Sequence, residues 1–176
     1  MWLWLIVGTS LMACSQSQQT NEQDQTPPPA PVVNLDDEIA ELLKLQAREQ
    51  EAHLSEQPAL LVNMLNDTLC QIKNGEVKYF SKDDMTDRLV KYFYSVEFVK
   101  WDDIKPPVIT LSPDGTMAHI LVQKEVEVIL ADRDKPTRER TEFAWTELWK
   151  KNPDASGGRW KLYSVTTTDK GNLVRE

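Results

Sequence analysis

The most constraining feature of this sequence is a series of long alternating segments between Pro106 and Tyr163. The segments SPDGT, ADRDKP and NPDASGG between them are rich in Pro, Gly, Asp and Asn, and the flanking residues alternate between apolar and polar. Period-two alternation bounded by such turns is typical of antiparallel strands. The sequence therefore predicts a meander of long strands with one face packed on a core and the other in water.

The middle strand of this meander shows the alternation most clearly. Its apolar face is predicted to carry Ala118, Ile120, Val122, Val126, Val128 and Leu130. The opposite face carries His119, Gln123, Glu125 and Glu127, so His119 is expected to be exposed. Lys124 interrupts the apolar face, and we expect its ammonium group to reach water at the edge of the core.

A first helix is predicted to begin near Asn34, which can cap it, because three acidic residues follow at the positive end of the helix dipole. Its packed stripe is predicted to contain Ile39, Leu42, Leu43, Ala47 and Leu54. Gln46, Gln50 and His53 lie on or beside that stripe. The helix is therefore expected to become polar toward its C-terminal end.

The region between this helix and the meander is predicted to contain five further elements. A short second helix starts at Pro58, and two short strands, 68–72 and 77–80, flank a turn. Ser81 and Asp84 are spaced to form a capping box at the start of a third helix. A strand over 95–102 follows, and Pro106-Pro107 is expected to end the connection to the meander.

The N-terminal residues predict export and a lipid anchor. Residues 1–13 contain no charged side chain and are too short to span a bilayer as a helix, but they have the length of the apolar region of a secretory signal. The sequence Leu-Met-Ala-Cys ending at Cys14 resembles the lipobox of bacterial lipoproteins. We therefore expect a signal peptide over 1–13, lipidation of Cys14 and attachment to the periplasmic face of a Gram-negative outer membrane. A plain signal peptide with an incidental cysteine is the alternative.

The predicted domain organisation follows from composition. Residues 14–34 form a Gln-, Ser- and Pro-rich tether with too little apolar content to fold, residues 35–170 form one α+β domain, and 171–176 form a tail.

The net charge of −8 argues against binding nucleic acid through a basic patch. With two histidines and no metal-ligand spacing, the sequence predicts no metal and no cofactor.

The order of these elements resembles the nuclear transport factor two-like superfamily, in its SnoaL-like branch. The segments that carry the resemblance are EAH at 51–53, IKNGE at 72–76, SPDGTMA at 112–118, FAW at 143–145 and GRWKL at 158–162. It covers nearly all of residues 38–168. The resemblance implies a cone in which a curved antiparallel sheet wraps about three helices and leaves a cavity, and it implies frequent dimerisation through the sheet. Members include isomerases, dehydratases and binding domains, so the fold alone does not decide the chemistry.

The candidate ligand-binding residues are His53, Tyr92, Trp145 and Glu147. Glu147 shares a strand face with Phe143, Trp145 and Trp149, which makes it a carboxylate in an aromatic surface. An apolar wall with a few converging polar groups is the usual composition of a small-molecule pocket. In the alternative interpretation, the aromatic face is an outer, dimer-forming surface and His53 meets solvent.

Three functions remain open from the sequence. The first is a non-catalytic lipoprotein domain that binds a small apolar ligand or an envelope protein. The second is an isomerase- or dehydratase-like enzyme with Glu147 or His53 as its base, although no catalytic residue can be assigned. The third is a structural homodimer with a filled cavity.

Overall fold

The computed structural model describes residues 33–130, 136–152 and 160–175, with side chains described up to residue 170. The predicted signal peptide, Cys14 and most of the predicted tether lie outside these residues. No helix within the described ranges is both long and apolar enough to cross a membrane.

Three helices precede or interrupt the first strands of the described chain. They are α1 (Leu35–Leu54), α2 (Pro58–Met64) and α3 (Lys82–Ser95). The side chain of Asn34 caps α1 by accepting from the backbone N–H of Asp36, and Ser81 and Asp84 form the capping box of α3. Both caps were predicted from the sequence and are confirmed.

The strands form one six-stranded curved sheet, and the predicted α+β fold class is confirmed. They are β1 (Leu65–Lys73), β2 (Glu76–Ser81), β3 (Val96–Leu111), β4 (Met117–Leu130), β5 (Thr137–Lys151) and β6 (Trp160–Arg175), in the spatial order β2-β1-β6-β5-β4-β3. The sheet is mixed rather than purely antiparallel, because β1 pairs parallel to β6. β6 continues beyond residue 170, where the domain was expected to end.

The predicted break at Pro106-Pro107 is wrong, because β3 continues through both prolines. Its pairing with β4 shifts register between Asp103 and Lys105 and again between Lys105 and Val108. Proline cannot donate to a strand ladder, but β3 lies at the edge of the sheet and is irregular here, and both conditions permit it. One long edge strand therefore replaces the predicted strand and connection.

The packed face of α1 differs from the predicted leucine stripe. Leu43 and Leu54 are 45% and 44% exposed, whereas the residues that are buried on α1 include several polar ones. The buried set is Glu38, Leu42, Gln46, Ala52 and His53. α1 thus presents polar groups to the interior along most of its length.

Polar contacts with the sheet explain how α1 can bury Glu38 at its start. The Glu38 carboxylate accepts a hydrogen bond from Trp160 Nε1 at 3.0 Å and forms an ion pair with Lys151. A buried carboxylate is tolerated when it is paired and hydrogen-bonded in this way. These contacts fix the N-terminal end of α1 on β5 and β6.

The core comprises two clusters of buried apolar side chains. The larger lies between α1, α2 and the inner faces of β3, β4 and β5, and it includes Leu42, Phe98, Trp101, Ile120 and Trp149. The smaller contains Leu65, Leu69 and Met85, from β1 and α3. The candidate site lies where residues of the two clusters meet.

Candidate functional site

A cavity of about 210 Å³ lies on the inner side of the sheet, between the three helices, β1, β5 and β6. Its wall is mostly apolar and is formed by Leu61, Met64, Leu65, Leu69, Met85, Leu89, Trp149, Leu162 and Val165. Three polar side chains also line it: Glu49 and His53 from α1, and Gln71 from β1. An apolar enclosure with a few polar groups matches the composition of small-molecule sites.

His53 is held in one orientation by its neighbours. Its ring stacks on Trp101 at 3.5 Å between centroids, and it meets Phe98 edge-on at 5.0 Å. Its Nδ1 lies 2.8 Å from the backbone oxygen of Glu49. A carbonyl oxygen can only accept, so Nδ1 carries the proton and Nε2 keeps a free lone pair. Burial, together with a smaller effect of the Lys124 charge, lowers the pKa of His53 from 6.5 to about 4 against the opposing hydrogen bond to the Glu49 backbone, so the ring is neutral at pH 7.

Glu49 lies one helical turn before His53 and faces the same cavity. Burial raises the pKa of its carboxyl group well above the usual value of 4.5. The charges of Glu147 and Asp103 raise this pKa further, and the Lys124 ammonium opposes them. Glu49 is therefore a carboxyl group that retains its proton more strongly than a carboxyl group in water does.

Glu147 lies on β5, 2% exposed, and both of its oxygens accept hydrogen bonds. Trp145 Nε1 donates to Oε1 at 2.6 Å, while Trp149 Nε1 and Gln46 Nε2 each donate to Oε2 at 2.7 Å. Trp145 and Trp149 precede and follow Glu147 by two residues, so strand alternation places all three side chains on the inner face. The sequence-level alternative, with this aromatic face outside the sheet, is wrong.

Lys124 is buried rather than reaching water at the core edge as expected. It is 1% exposed, and its Nζ lies 2.5 Å from Asp103 Oδ1 on β3. The Asp103 side chain is 36% exposed, so the pair joins a buried ammonium to a half-solvated carboxylate. It places a positive charge near Glu49, His53 and Glu147, whose pKa values it influences.

The four predicted ligand-binding residues occupy different environments. His53 lines the cavity. Trp145 and Glu147 lie behind the cavity wall, where they bond to each other. Tyr92 is 43% exposed and packs edge-on against Phe98 at 5.5 Å; it does not line the cavity. The structure thus places one predicted residue in the wall and two directly behind it.

Sequence reasoning missed Glu49 and Gln71. Glu49 follows Gln46 by three residues and precedes His53 by four, which is the spacing of one helix face. A search for a polar rather than an apolar stripe on α1 would have found it. For Gln71 the only signal was its position two residues after Leu69 on a strand.

No group of three or more His, Cys, Asp or Glu side chains among the described residues is arranged to hold a metal ion. The polar side chains that line the cavity are a carboxyl group with a raised pKa, a neutral imidazole and an amide, set among apolar side chains.

Solved structures resemble this fold at low sequence identity. A nuclear transport factor 2 (NTF2-like) superfamily protein from Salmonella enterica is 14% identical, with a TM-score of 0.63 over 77% of this chain and 92% of that one. A candidate dehydratase of the NTF2-like family from Streptomyces avermitilis is 12% identical, with a TM-score of 0.61 over 76% of this chain and 97% of that one.

A ketosteroid isomerase-like protein from Erwinia carotovora atroseptica is 13% identical, with a TM-score of 0.59 over 77% of this chain and 98% of that one. No family model and no curated protein matches the sequence. Identities this low establish the architecture and leave the activity open. The chain therefore has the nuclear transport factor 2-like fold.

Proposed function

We propose that this domain binds a small, mostly apolar molecule in the cavity between its helices and sheet, with Glu49 and His53 as the polar contacts. The observation that carries the proposal is the wall itself, which is apolar except for Glu49, His53 and Gln71. At about 210 Å³ the cavity lies below the roughly 300–1,000 Å³ of drug-sized sites, so the ligand is small. A single ring or a short branched chain with one polar group fits this description.

A cavity-filling variant tests the binding proposal. Leu69→Phe adds bulk to the cavity wall, and it should abolish the change in tryptophan emission caused by small cyclic ketones, alcohols and amides, because Trp149 lines the same space. Leu121→Phe is the matched control, since Leu121 is 49% exposed and lies outside the cavity. If no compound alters the emission, or if Leu69→Phe leaves the response intact, the proposal is wrong.

A second candidate function is proton transfer on a bound molecule. Glu49 and His53 face the cavity one turn apart, with pKa values moved in opposite directions, each toward the uncharged form of its group. Such a divergence is a common property of acid–base pairs in enzymes. A candidate dehydratase and a ketosteroid isomerase-like protein share this fold, which supports the same class of reaction.

Hydrogen–deuterium exchange next to the carbonyl of a bound ketone would distinguish the two functions. Proton transfer predicts exchange in D₂O that the protein accelerates and that both Glu49→Gln and His53→Phe abolish. Binding alone predicts a saturable fluorescence response with no acceleration.

We also propose that a lipid on Cys14 holds the domain at the periplasmic face of the outer membrane. The Leu-Met-Ala-Cys sequence and the Gln- and Pro-rich segment behind it support this location. Full-length protein expressed in a Gram-negative host should sediment with membranes, and Cys14→Ser should release it. A Cys14→Ser protein that stays in the membrane fraction would contradict the anchor.

A further inference from the structure

The environment of Glu147 matches a carboxylate and not a carboxylic acid. Three N–H groups point at its two oxygens, and the described structure offers no acceptor for a carboxyl proton among these contacts. Indole and amide N–H groups can only donate, so a proton on either oxygen would compete with one of them. A carboxylate that accepts two or three such bonds is stabilised in its charged form. These donors oppose the effect of burial, which raises the pKa of Glu147.

Glu49 has no comparable set of donors. No hydrogen bond to its carboxyl group is found among the described residues, and the group faces an apolar cavity. Two carboxyl groups that interact in one interior do not both ionise readily, so the group with fewer donors keeps the proton. By this argument the proton belongs on Glu49.

We infer that Glu147 is a positioning residue that keeps Glu49 protonated, so that the cavity offers an O–H donor and takes a neutral molecule with a hydrogen-bond acceptor, such as a carbonyl oxygen, in preference to a cation. The inferred ligand class rests on the proposed function of the cavity. The inferred protonation of Glu49 is independent of that function.

The charges that influence Glu49 lie on β3, β4 and β5, whereas the residues of α2, α3, β1 and β6 that line the cavity with it are uncharged. Glu147 on β5 and Asp103 on β3 favour the protonated form, and Lys124 on β4 opposes it. Lys124 is already paired with Asp103 at 2.5 Å, which leaves the charge of Glu147 as the larger influence. His53 on α1 has a free lone pair on Nε2, but its pKa of about 4 makes it a weaker base than a Glu49 carboxylate whose pKa is raised, so it does not take the proton of Glu49.

A carboxylic acid in a mostly apolar cavity recognises a different ligand from a carboxylate. It donates one short hydrogen bond, and the lone pair of His53 Nε2 can accept a second from a hydroxyl group of the ligand. An ammonium group would find no free carboxylate in the cavity and would lose its hydration there. A ketone should therefore bind to the protonated form of Glu49, and an amine of the same shape should bind to the ionised form. Comparing the two compounds distinguishes these protonation states.

The first experiment follows the carboxyl carbons of ¹³C-labelled glutamate by NMR as the pH is raised, with Glu49→Gln to assign the Glu49 signal. The Glu49 signal is expected to titrate well above the ordinary range, and Glu147→Gln should lower its midpoint by about one pH unit or more. A Glu49 midpoint near the ordinary value in the unmodified protein would overturn the inference, whether or not Glu147→Gln folds. A midpoint that Glu147→Gln leaves unchanged would also overturn it.

The second experiment titrates the protein at pH 7 with cyclohexanone and with cyclohexylamine. Cyclohexanone should bind and cyclohexylamine should not, and Glu49→Gln should still bind the ketone because its amide also donates. Glu49→Leu should lose ketone binding, while Glu51→Gln, exposed on the same helix, is the control that should behave as the parent protein. Equal binding of the amine would overturn the ligand class. Failure of both compounds to bind, with the NMR result as expected, would contradict the proposed function and leave the proton on Glu49 established.

Discussion

At the scale of single residues, the ionisable groups in the interior of this domain differ in the number of hydrogen-bond donors that surround them. Glu147 receives three N–H donors, whereas Glu49 receives none among the described residues and faces an apolar space. Two glutamates in one interior therefore differ in charge because their neighbours differ. This difference gives the cavity its chemical character.

The decrease in the free energy of unfolding at acidic pH should depend on His53. The pKa of His53 is about 4 in the folded protein against 6.5 for an ordinary histidine. Above pH 6.5 the ring is neutral in both the folded and unfolded states, and as the pH falls from 6.5 to about 4 protonation favours the unfolded chain. We expect a loss of about 3 kcal/mol in the free energy of unfolding over this range, since one pKa unit corresponds to about 1.4 kcal/mol.

Chemical denaturation at several pH values checks this prediction. His53→Phe keeps a ring against Trp101 and should flatten the dependence between pH 6.5 and 4. His119→Gln removes the other histidine, which is exposed, and should leave the dependence as it is. An unchanged slope in His53→Phe would refute the assignment.

The hydrogen bonds to Glu147 can be measured with a pair of tryptophan substitutions. Trp149 Nε1 donates to Glu147, whereas Trp101 Nε1 is buried and has no hydrogen-bond partner in the described structure. Trp→Phe removes similar apolar area at both positions, but only Trp149→Phe also removes a bond to a charged group. We expect Trp149→Phe to cost about 1.5–3 kcal/mol more than Trp101→Phe in urea unfolding. Equal costs would mean that the bond contributes nothing.

At the scale of elements, α1 and the edge strand β3 carry the polar groups that make the site possible. α1 supplies Gln46, Glu49 and His53, and β3 supplies Asp103 at a point where its register shifts. The irregularity of β3 also accommodates Pro106 and Pro107.

The two ion pairs between β3 and β4 should differ in strength. Lys124–Asp103 and Lys100–Glu125 both measure 2.5 Å, but the Lys124 side chain is 1% exposed and the Lys100 side chain is 36% exposed. Asp103→Ala leaves a buried ammonium without its partner, and we expect a cost of about 3 kcal/mol, at the lower end of the range because the Asp103 side chain is itself half-solvated.

Glu125→Ala is the matched control and should cost about 1 kcal/mol or less, since it breaks a pair on the same two strands in which water reaches both partners. Lys124→Met should cost less than Asp103→Ala, because it leaves a carboxylate that water can reach. Equal effects of Asp103→Ala and Glu125→Ala in thermal unfolding would contradict the buried position of Lys124.

At the scale of the whole molecule, we propose that two copies associate through the outer face of the sheet. This face carries the exposed aliphatic residues Val108 and Leu121, 57% and 49% exposed, in a groove with Ala144 and several threonines. Among the described residues, Lys105 is the only charged one that lines that groove, although the chain has a net charge of −8. An apolar patch with a single charged residue at its border favours self-association on a protein that is otherwise acidic.

Sedimentation equilibrium at micromolar concentration should find a dimer, and Leu121→Glu should convert it to a monomer. Val77→Glu is the control, because Val77 is 56% exposed on β2 and lies outside the groove. A monomeric parent protein would contradict the proposed dimer.

The sequence by itself determined the features that depend on neighbours along the chain. The alternation in 117–130 and 137–151 specified long strands, and Asn34 and the Ser81–Asp84 pair specified where two helices begin. These are local effects, since strand alternation and helix capping act within a few residues. The order of these elements resembles that of nuclear transport factor 2-like proteins, and this resemblance predicted the fold class.

Tertiary structure alone decided which face of α1 is buried and which carboxyl group meets the cavity. Leucine spacing favoured Leu43 and Leu54, but the buried face includes Gln46 and His53 because Glu147 and Trp101 lie opposite them. Burying a polar group is favourable only when a partner is in place, and here the Gln46–Glu147 partners are 101 residues apart in the chain. Lys124 is buried for the same reason, since its ammonium group pairs with the Asp103 carboxylate on the neighbouring strand. A pattern confined to one segment does not contain these pairings, so only the folded chain reveals them.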